Sequence, residues 1–175
     1  NFLCSPPYPF QCSDLLTPKN LLDFPFRLSI VKNRNRSKRS TPMHYLSKTA
    51  ETVFRALIEG LKELGDAKKI DNTNGTYMPV HVEIINRSQY GNHVSIAHYY
   101  EQNGDLMKDP DMTFLASLKG SVLPMTFEQD GGFPVCQVAM KIDENGTIHR
   151  SEKLQDSLAD FANMWMMNIK DQQQL

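Results

Sequence analysis

The stretch that decides the fold is His93–Leu118, which reads HVSIAHYYEQNGDLMKDPDMTFLASL. Every second residue from Val94 to Tyr100 belongs to one more apolar side, and this two-residue period is typical of a strand with one buried face. That side carries Val94, Ile96, His98 and Tyr100, and the other carries Ser95, Ala97, Tyr99 and Glu101. The Asn103-Gly104 pair predicts a tight turn, and Thr113–Leu118 predicts the strand that returns from it. Between the turn and that second strand we expect a short loop that carries three aspartates.

The rest of the middle region indicates more strands of the same kind. Alternating or short apolar runs, each bounded by turn residues, lie at Met78–Ile85, Val122–Gln129 and Phe133–Lys141. Tyr90-Gly91-Asn92 and Gly131-Gly132 are expected to join neighbouring runs as hairpins. Since the connections are too short to hold a crossover helix, we expect an antiparallel meander of about five strands.

Two amphipathic helices enclose the strands. Apolar residues at helical spacing predict a helix over 43–64, with Thr41-Pro42 at its start and Gly65 at its end. A second helix follows Ser151, which is placed to cap it. One apolar stripe on each helix and one apolar face on the sheet can satisfy one another in two layers. The predicted fold is therefore α+β, a two-layer antiparallel β-meander flanked by an N-terminal and a C-terminal amphipathic helix.

Charge divides the chain at about residue 42. Residues 1–42 contain seven Lys or Arg, two acidic residues and six of the ten prolines, whereas residues 43–175 contain 12 basic and 18 acidic residues. The first segment is predicted to be a basic, Pro-rich leader, either disordered or upstream of a natural start at Met43, and the alternative is a basic arm that contacts phosphates. Residues 43–175 are predicted to form a single α+β domain, whose excess of six acids makes nucleic acid an unfavourable partner.

Neither membrane insertion nor export is expected. No apolar run approaches the roughly 18 residues of a membrane span. Pro and Gln interrupt residues 1–12, where a signal peptide needs a continuous apolar stretch. Of the three cysteines only Cys136 lies beyond residue 42, so we expect a buried, inert thiol there. These features favour a cytoplasmic location.

The densest group of chemically active side chains spans the end of the first strand and the acidic loop. We take as the candidate functional loop His98, Tyr99, Glu101, Asp105, Asp109 and Asp111. Clustered carboxylates are what a hard divalent cation needs, although their spacing here differs from that of a calcium-binding loop and Lys108 offsets part of the charge. The competing interpretation is a structural turn around Pro110, in which Asp109 and Asp111 accept local backbone hydrogen bonds.

The sequence has no other signature of catalysis or cofactor binding. It contains no Cys-x-x-Cys, no His-Glu-x-x-His, no phosphate-binding Gly-Lys loop and no dinucleotide-binding glycine pattern. We therefore assign no metal site, no cofactor and no catalytic residue. His93 and His98 are an odd number of positions apart, so they are expected on opposite faces of the strand, with His98 as a hydrogen-bonded core residue.

The C-terminal helix is a candidate surface for a protein partner. Met164, Met166 and Met167 surround Trp165, and at helical spacing some of these side chains must face away from the core. Methionine side chains are flexible and polarisable, so they pack against surfaces of varied shape. We therefore expect that a protein partner could bind at this helix.

The segment Tyr99–Leu115, YYEQNGDLMKDPDMTFL, resembles a family of uncharacterised bacterial domains of unknown function associated with plasmids, phages and conjugative elements. The resemblance centres on the EQNGDLMKDPDM motif, runs from about Met43 to Met140 and includes the VEIINRS strand. The sequence departs from the family after Asp130, where Gly131–Val135 replaces a tyrosine-containing strand start. The resemblance implies a bacterial, cytoplasmic setting and a mobile element, and it implies neither an activity nor catalytic residues.

Two classes of function remain open at this stage. The first is a small, non-catalytic accessory or binding protein of a bacterial mobile element. The alternative is a metal-dependent enzyme, for example one acting on nucleic acid, that uses the acidic cluster Glu101–Asp111. Because a ligand that binds the folded state alone raises the melting temperature, a response to divalent cations discriminates between the two.

Overall fold

The computed structural model of the chain describes residues 44–175, which form two α-helices and eight β-strands. In chain order they are α1 (Lys48–Ile58), β1 (Ala67–Ile70), β2 (Val80–Ser88), β3 (Gly91–Gln102), β4 (Asp105–Ser117), β5 (Val122–Gln129), β6 (Val135–Val138), β7 (Met140–Ile142), β8 (Ile148–Arg150) and α2 (Glu152–Gln173). The predicted leader, its boundary at Met43 and the helix-start signal Thr41-Pro42 lie outside the described residues.

The first six strands form one antiparallel sheet in the order β1-β2-β3-β4-β5-β6, so each strand pairs with its neighbour in the chain. This arrangement confirms the predicted meander, with one more strand than expected. Strand β1 escaped sequence reasoning because it has only four residues and two of them are lysines. It lies at the sheet edge, where charged side chains are tolerated and protect the exposed backbone from pairing with another chain.

The strand predicted over Phe133–Lys141 is two strands in different sheets. Between β6 and β7 the backbone N–H of Ala139 donates to the carbonyl of Met125 (2.8 Å), and its own carbonyl accepts from the N–H of Ser151 (2.8 Å). Strand β7 then pairs with β8 in a separate two-stranded sheet. Strand β8 has three residues, too few to leave a period in the sequence.

The expected acidic loop is a continuous part of strand β4. Asn103 and Gly104 form the predicted tight turn with φ angles of 55° and 87°, and β4 then runs against β3 without a loop. The register shifts between Ala97 and Tyr99, where the β4 segment opposite is one residue longer and contains Pro110. A strand tolerates proline at such an irregularity because no ladder hydrogen bond needs its missing N–H. The loop prediction was wrong because proline and aspartate are usually turn residues.

Helix α1 is shorter than the predicted span 43–64. The residues before it are drawn into extended conformation, since the N–H of Leu46 donates to the carbonyl of Val122 (3.0 Å) and the N–H of Ser47 donates to Asn163 Oδ1 (2.8 Å). The Ser47 hydroxyl then accepts from the N–H of Ala50 (3.3 Å) and caps the helix. The helix ends before Gly60, whose φ of 88° is incompatible with a continuing helix.

Both helices pack on one face of the six-stranded sheet, as the two-layer prediction requires. The Phe54 ring of α1 meets Phe114 of β4 edge to face, with 5.4 Å between ring centroids, and Phe161 of α2 meets Phe127 of β5 at 5.2 Å. The fully buried side chains of this core include Phe54, Leu57, Val80, Ile96, Met112, Phe114, Met166 and Ile169. Helix α2 begins after Ser151, but the hydroxyl of that residue makes no capping hydrogen bond.

A smaller apolar cluster lies on the other face of the sheet. Its buried members are Leu115, Leu123, Met125 and Met140. Phe114 and Leu115 are adjacent in β4 and both buried, so their side chains occupy opposite faces. The β7–β8 hairpin covers this cluster, and the Tyr90 hydroxyl fastens its tip by donating to the carbonyl of Gly146 (2.8 Å). One end of the sheet therefore carries a third layer that the sequence did not predict.

The rest of that face is uncovered by any helix or hairpin among the described residues, and we call it the open face. The strand registers bring together on it Glu83, Ser95, Asp111, Thr113 and Glu128. These side chains alternate along their strands with core residues on the helix side, such as Val82, Ile96 and Met112. The open face is therefore polar.

Replacement of Leu57 by alanine tests the packing of α1. The side chain is fully buried against the sheet, so Leu57→Ala should lower the free energy of unfolding by about 2–5 kcal/mol. Leu64, the last residue of the predicted stripe, is 58% exposed, so Leu64→Ala should change it by less than about 0.5 kcal/mol. Denaturant melts of both variants measure the difference, and equal effects would contradict this packing.

Gly91 is required where β2 turns into β3. The predicted turn Tyr90-Gly91-Asn92 is displaced, since Gly91 already belongs to β3, with a φ of 147°. A Cβ added there would lie 2.0 Å from the carbonyl oxygen of Ala116. Gly91→Ala should therefore cost at least the roughly 1–3 kcal/mol of a strained backbone. Gly132→Ala meets nothing within 4 Å and should stay within about 0.5 kcal/mol of the parent in the same melts.

Candidate functional site

The predicted functional loop is divided between the two faces of the β3–β4 hairpin. His98 points to the helix side, where its ring meets Trp165, whereas Tyr99 meets His81 on the open face. Asp111 also lies on the open face, because it alternates with the fully buried Met112. Glu101 and Asp105 are exposed beside the turn at the end of the hairpin. The six residues therefore do not form a single site.

His98 is a core residue, as expected. Its ring is 3% exposed, lies 5.5 Å from the Trp165 ring in edge-to-face geometry, and hydrogen-bonds through Nδ1 to the carbonyl of Pro79 (3.2 Å). Burial lowers the pKa of His98, although the hydrogen bond to Pro79 and the nearby Asp109 carboxylate act in the opposite direction. Within the core, the His98 imidazole thus links Pro79, just before β2, to Trp165 of α2.

Asp109 and Asp111 are held by side chains of neighbouring strands. Gln129 Nε2 donates to Asp109 Oδ1 (2.7 Å), and the Ser95 hydroxyl donates to Asp111 Oδ1 (2.8 Å). The expected local backbone hydrogen bonds are made instead by Asp130, whose carboxylate accepts from the N–H of Lys108 (2.9 Å). The expectation was wrong because the aspartates lie in a strand, whose backbone N–H groups already take part in the sheet.

A polar network centres on Lys108 in the open face. The Lys108 ammonium donates to Glu128 Oε2 and lies 3.8 Å from Asp111 Oδ2, and these three side chains are 17–22% exposed. Burial raises the pKa of Asp111, and Glu128 and Glu83 add to that effect against the Ser95 hydrogen bond and the Lys108 charge. For Lys108 burial acts to lower the pKa, but the hydrogen bond to Glu128 and the charges of the nearby acids outweigh it and raise the pKa. The network therefore keeps Lys108 charged.

Lys108 also fixes the β5–β6 connection beside the β3–β4 hairpin. The backbone N–H of Lys108 donates to the carboxylate of Asp130, and the backbone carbonyl of Lys108 accepts from the N–H of Asp130 (3.0 Å). One residue further on, a Cβ placed on Gly131 would lie 3.9 Å from the Tyr100 hydroxyl. The two hairpins thus lie side by side at one end of the sheet.

Large apolar side chains are exposed on both of these hairpins. Leu106 of β4 is 62% exposed, and Phe133 in the β5–β6 connection is 93% exposed. We call Leu106 and Phe133, together with the exposed acids Glu101 and Asp105 that lie next to Leu106 on the β3–β4 hairpin, the hairpin-end surface. Sequence reasoning missed both apolar residues because Leu and Phe in a strand-like run are usually assigned to a core.

The acids do not converge on a point that could hold a cation. Among residues 44–175, no group of three or more His, Cys, Asp or Glu side chains is placed to bind a metal ion. The carboxylates of Asp109 and Asp111 are engaged by different donors, Gln129 and Ser95. This region presents charged and apolar side chains at the surface.

The structure also bears on three further expectations from the sequence. His93 and His98 do face opposite sides, since His93 pairs with Leu115 of the smaller cluster. Cys136 is exposed on β6, so the expectation of a buried thiol is wrong. In α2, Trp165 and Met166 are buried and Met164 is exposed, so of these three side chains only Met164 lies at the surface.

Neither helix of the described part of the chain is long and apolar enough to cross a membrane.

The buried imidazole of His93 predicts a loss of stability in acid. Its Nε2 has no hydrogen-bond partner among the described residues, and burial lowers the pKa of His93. Below a pH of about 6.5, the unfolded chain binds a proton that the folded chain does not, so stability falls by up to about 1.4 kcal/mol per pH unit for this group. This continues until the pH reaches the lowered pKa of the folded state.

His93→Leu should reduce that slope without loss of stability at pH 7.5, because an apolar side chain suits the cluster. Urea melts between pH 7.5 and 5 measure the slope. Leu115→Met, which repacks the same cluster without removing a titrating group, should retain the parent's slope. An unchanged slope in His93→Leu would contradict the assignment.

Comparison with known proteins identifies one family. No curated protein and no solved structure matches the chain. The family model for DUF6908, described as a domain of unknown function, matches residues 49–175. This match continues past Met140, where the sequence resemblance was expected to end, through β8 and α2. Because it covers well over half of the sequence, the chain belongs to the DUF6908 family.

Proposed function

We propose that this chain is a small, non-catalytic accessory or binding protein of a bacterial mobile element, acting in the cytoplasm, and that it binds a protein partner at the hairpin-end surface. The resemblance of the EQNGDLMKDPDM segment to domains encoded on plasmids, phages and conjugative elements supports the setting. The exposure of Leu106 and Phe133 is the observation that carries the binding function.

Exposure of these two side chains leaves free energy available for association. Burying a Leu or Phe side chain is worth about 1.5–3 kcal/mol, and neither residue gains it within the described fold. Single exposed apolar residues are common on protein surfaces. Here, however, two of them lie on adjacent hairpins at the same end of the sheet.

The frame that carries these residues is held in place before any partner binds. The Lys108 N–H donates to the Asp130 carboxylate and the Lys108 carbonyl accepts from the Asp130 N–H, and these two hydrogen bonds, with the contact of Lys108 with Glu128, tie the end of β5 to β4. A surface that is already ordered loses less conformational entropy on association. This favours the hairpin-end surface as a preformed docking site.

The arrangement of the acids supports binding over the metal-dependent alternative. Asp109 and Asp111 are engaged within the sheet, and Glu101 and Asp105 lie at the exposed end of the hairpin. The excess of acids over residues 43–175 also disfavours nucleic acid as a partner. On α2, the exposed Met164 and the half-buried Met167 are a second place where a protein could bind.

Affinity purification tests the proposal. The full chain, tagged and expressed in a bacterium that carries the encoding element, should retain a specific protein that is identified by mass spectrometry. Leu106→Ser and Phe133→Ser should each reduce the recovered amount by tenfold or more, because they remove the apolar contact. Leu118→Ser is the matched control: Leu118 is 81% exposed, but it lies in the β4–β5 turn at the opposite end of the sheet. It should leave the recovery unchanged.

Three results would count against the proposal. Equal losses in all three variants would indicate non-specific adhesion of apolar surface. A loss restricted to a Met164→Ser variant would move the binding site to α2. A rise of several degrees in the melting temperature with millimolar Mg²⁺ or Mn²⁺, abolished by Asp109→Asn or Asp111→Asn, would favour the metal-dependent enzyme instead.

A further inference from the structure

We infer that the partner of the hairpin-end surface is a basic protein segment that carries Lys or Arg and apolar residues next to each other on one side. This inference rests on the proposed function, since the exposed Leu106 and Phe133 define the site. It goes further by assigning the chemistry of the occupant from the charges on the two hairpins that carry those side chains.

The charge around the apolar residues is strongly one-sided. Residues 99–111 and 127–134 contain six acids, Glu101, Asp105, Asp109, Asp111, Glu128 and Asp130, and a single basic residue, Lys108. The Lys108 ammonium is directed to Glu128 and Asp111 within the open face. It therefore does not neutralise Glu101 and Asp105 beside the turn, which are exposed next to Leu106.

Two further acids at this end accept hydrogen bonds from neutral donors. Asp109 accepts from Gln129, and Asp130 accepts from the backbone N–H of Lys108. A neutral donor orients a carboxylate without cancelling its charge. This end of the sheet therefore presents a net negative field around an apolar centre, and such a field attracts a basic segment and repels nucleic acid or an acidic one.

The geometry also limits the form of the occupant. Leu106 shares its side of the hairpin with Glu101, its cross-strand partner, so an apolar group and a carboxylate stand next to each other. An extended segment in which cations and apolar residues follow one another on the same side, at every second position, can meet both groups. Each contact would be partly exposed, so the charges contribute mainly to selectivity and to a salt-dependent association rate.

Three synthetic peptides of equal length serve as probes for the full chain. One repeats Lys-Lys-Leu-Leu, the second repeats Glu-Glu-Leu-Leu, and the third repeats Ser-Ser-Leu-Leu, so that each side of the extended peptide carries both residue types. Fluorescence anisotropy measures their binding. The Lys peptide should bind at least tenfold more tightly than the other two at low salt. Its affinity should fall at least fivefold for the double variant Glu101→Gln/Asp105→Asn and for Phe133→Ser. It should also fall as salt is raised.

A variant with the same change in net charge is the control. Asp160→Asn/Asp171→Asn removes two exposed acids from α2 and should change the affinity for the Lys peptide by less than twofold. A loss as large as that of Glu101→Gln/Asp105→Asn would show attraction by net charge alone and overturn the inference. Failure of the Lys peptide to bind would overturn it as well.

The remaining outcomes separate this inference from the proposed function. If the Ser peptide binds as tightly as the Lys peptide and Phe133→Ser weakens both, the apolar docking site stands and the basic partner is refuted. If Phe133→Ser has no effect on any peptide or on the partner recovered from cells, the docking site itself is refuted. A preference for the Glu peptide would reverse the assigned charge of the partner.

Discussion

Backbone pairing between β3 and β4 is the constraint on which the rest of the structure depends. These are the longest strands of the fold, with 12 and 13 residues, and β2 and β5 pair on their outer edges. Their register decides which side chains meet the helices and which reach the open face, since a slip of one residue would exchange the two sets. The register shift between Ala97 and Tyr99 has a structural role. It keeps Met112 and Phe114 on the core side while β3 and β4 remain paired up to the end of the hairpin.

The sequence predicted those parts of the fold whose signal repeats over many residues. The period of two around Val94 and Ile96, the Asn103-Gly104 turn and the two helical stripes were sufficient for an antiparallel meander with two helices. Short elements such as β1 and β8 repeat no pattern and were missed. The predicted start of α1 was wrong because the observed start depends on long-range hydrogen bonds from Leu46 and Ser47, which local sequence does not encode.

The candidate site was harder to predict because it depends on side-chain alternation and on the register between strands. Residues close together in sequence, such as His98 and Tyr99, separate onto opposite faces, whereas Lys108 and Glu128, 20 positions apart, come into contact. No sequence pattern specifies that contact without the register. The chemistry of the acids also changes with their setting: within a sheet a carboxylate must be matched by donors on neighbouring strands, because an unmatched buried polar group costs about 1–3 kcal/mol.

This requirement separates the acids that the fold needs from those that it does not. Asp109 and Asp111 are engaged by Gln129 and Ser95, so their presence is explained by the integrity of the sheet. The exposed Leu106 and Phe133 have no such explanation, because a polar residue at either position would serve the fold equally well and would reduce the tendency to aggregate. Two exposed apolar side chains, rather than the conspicuous carboxylates, therefore indicate a binding function. The charges around them bear on which partner could bind there.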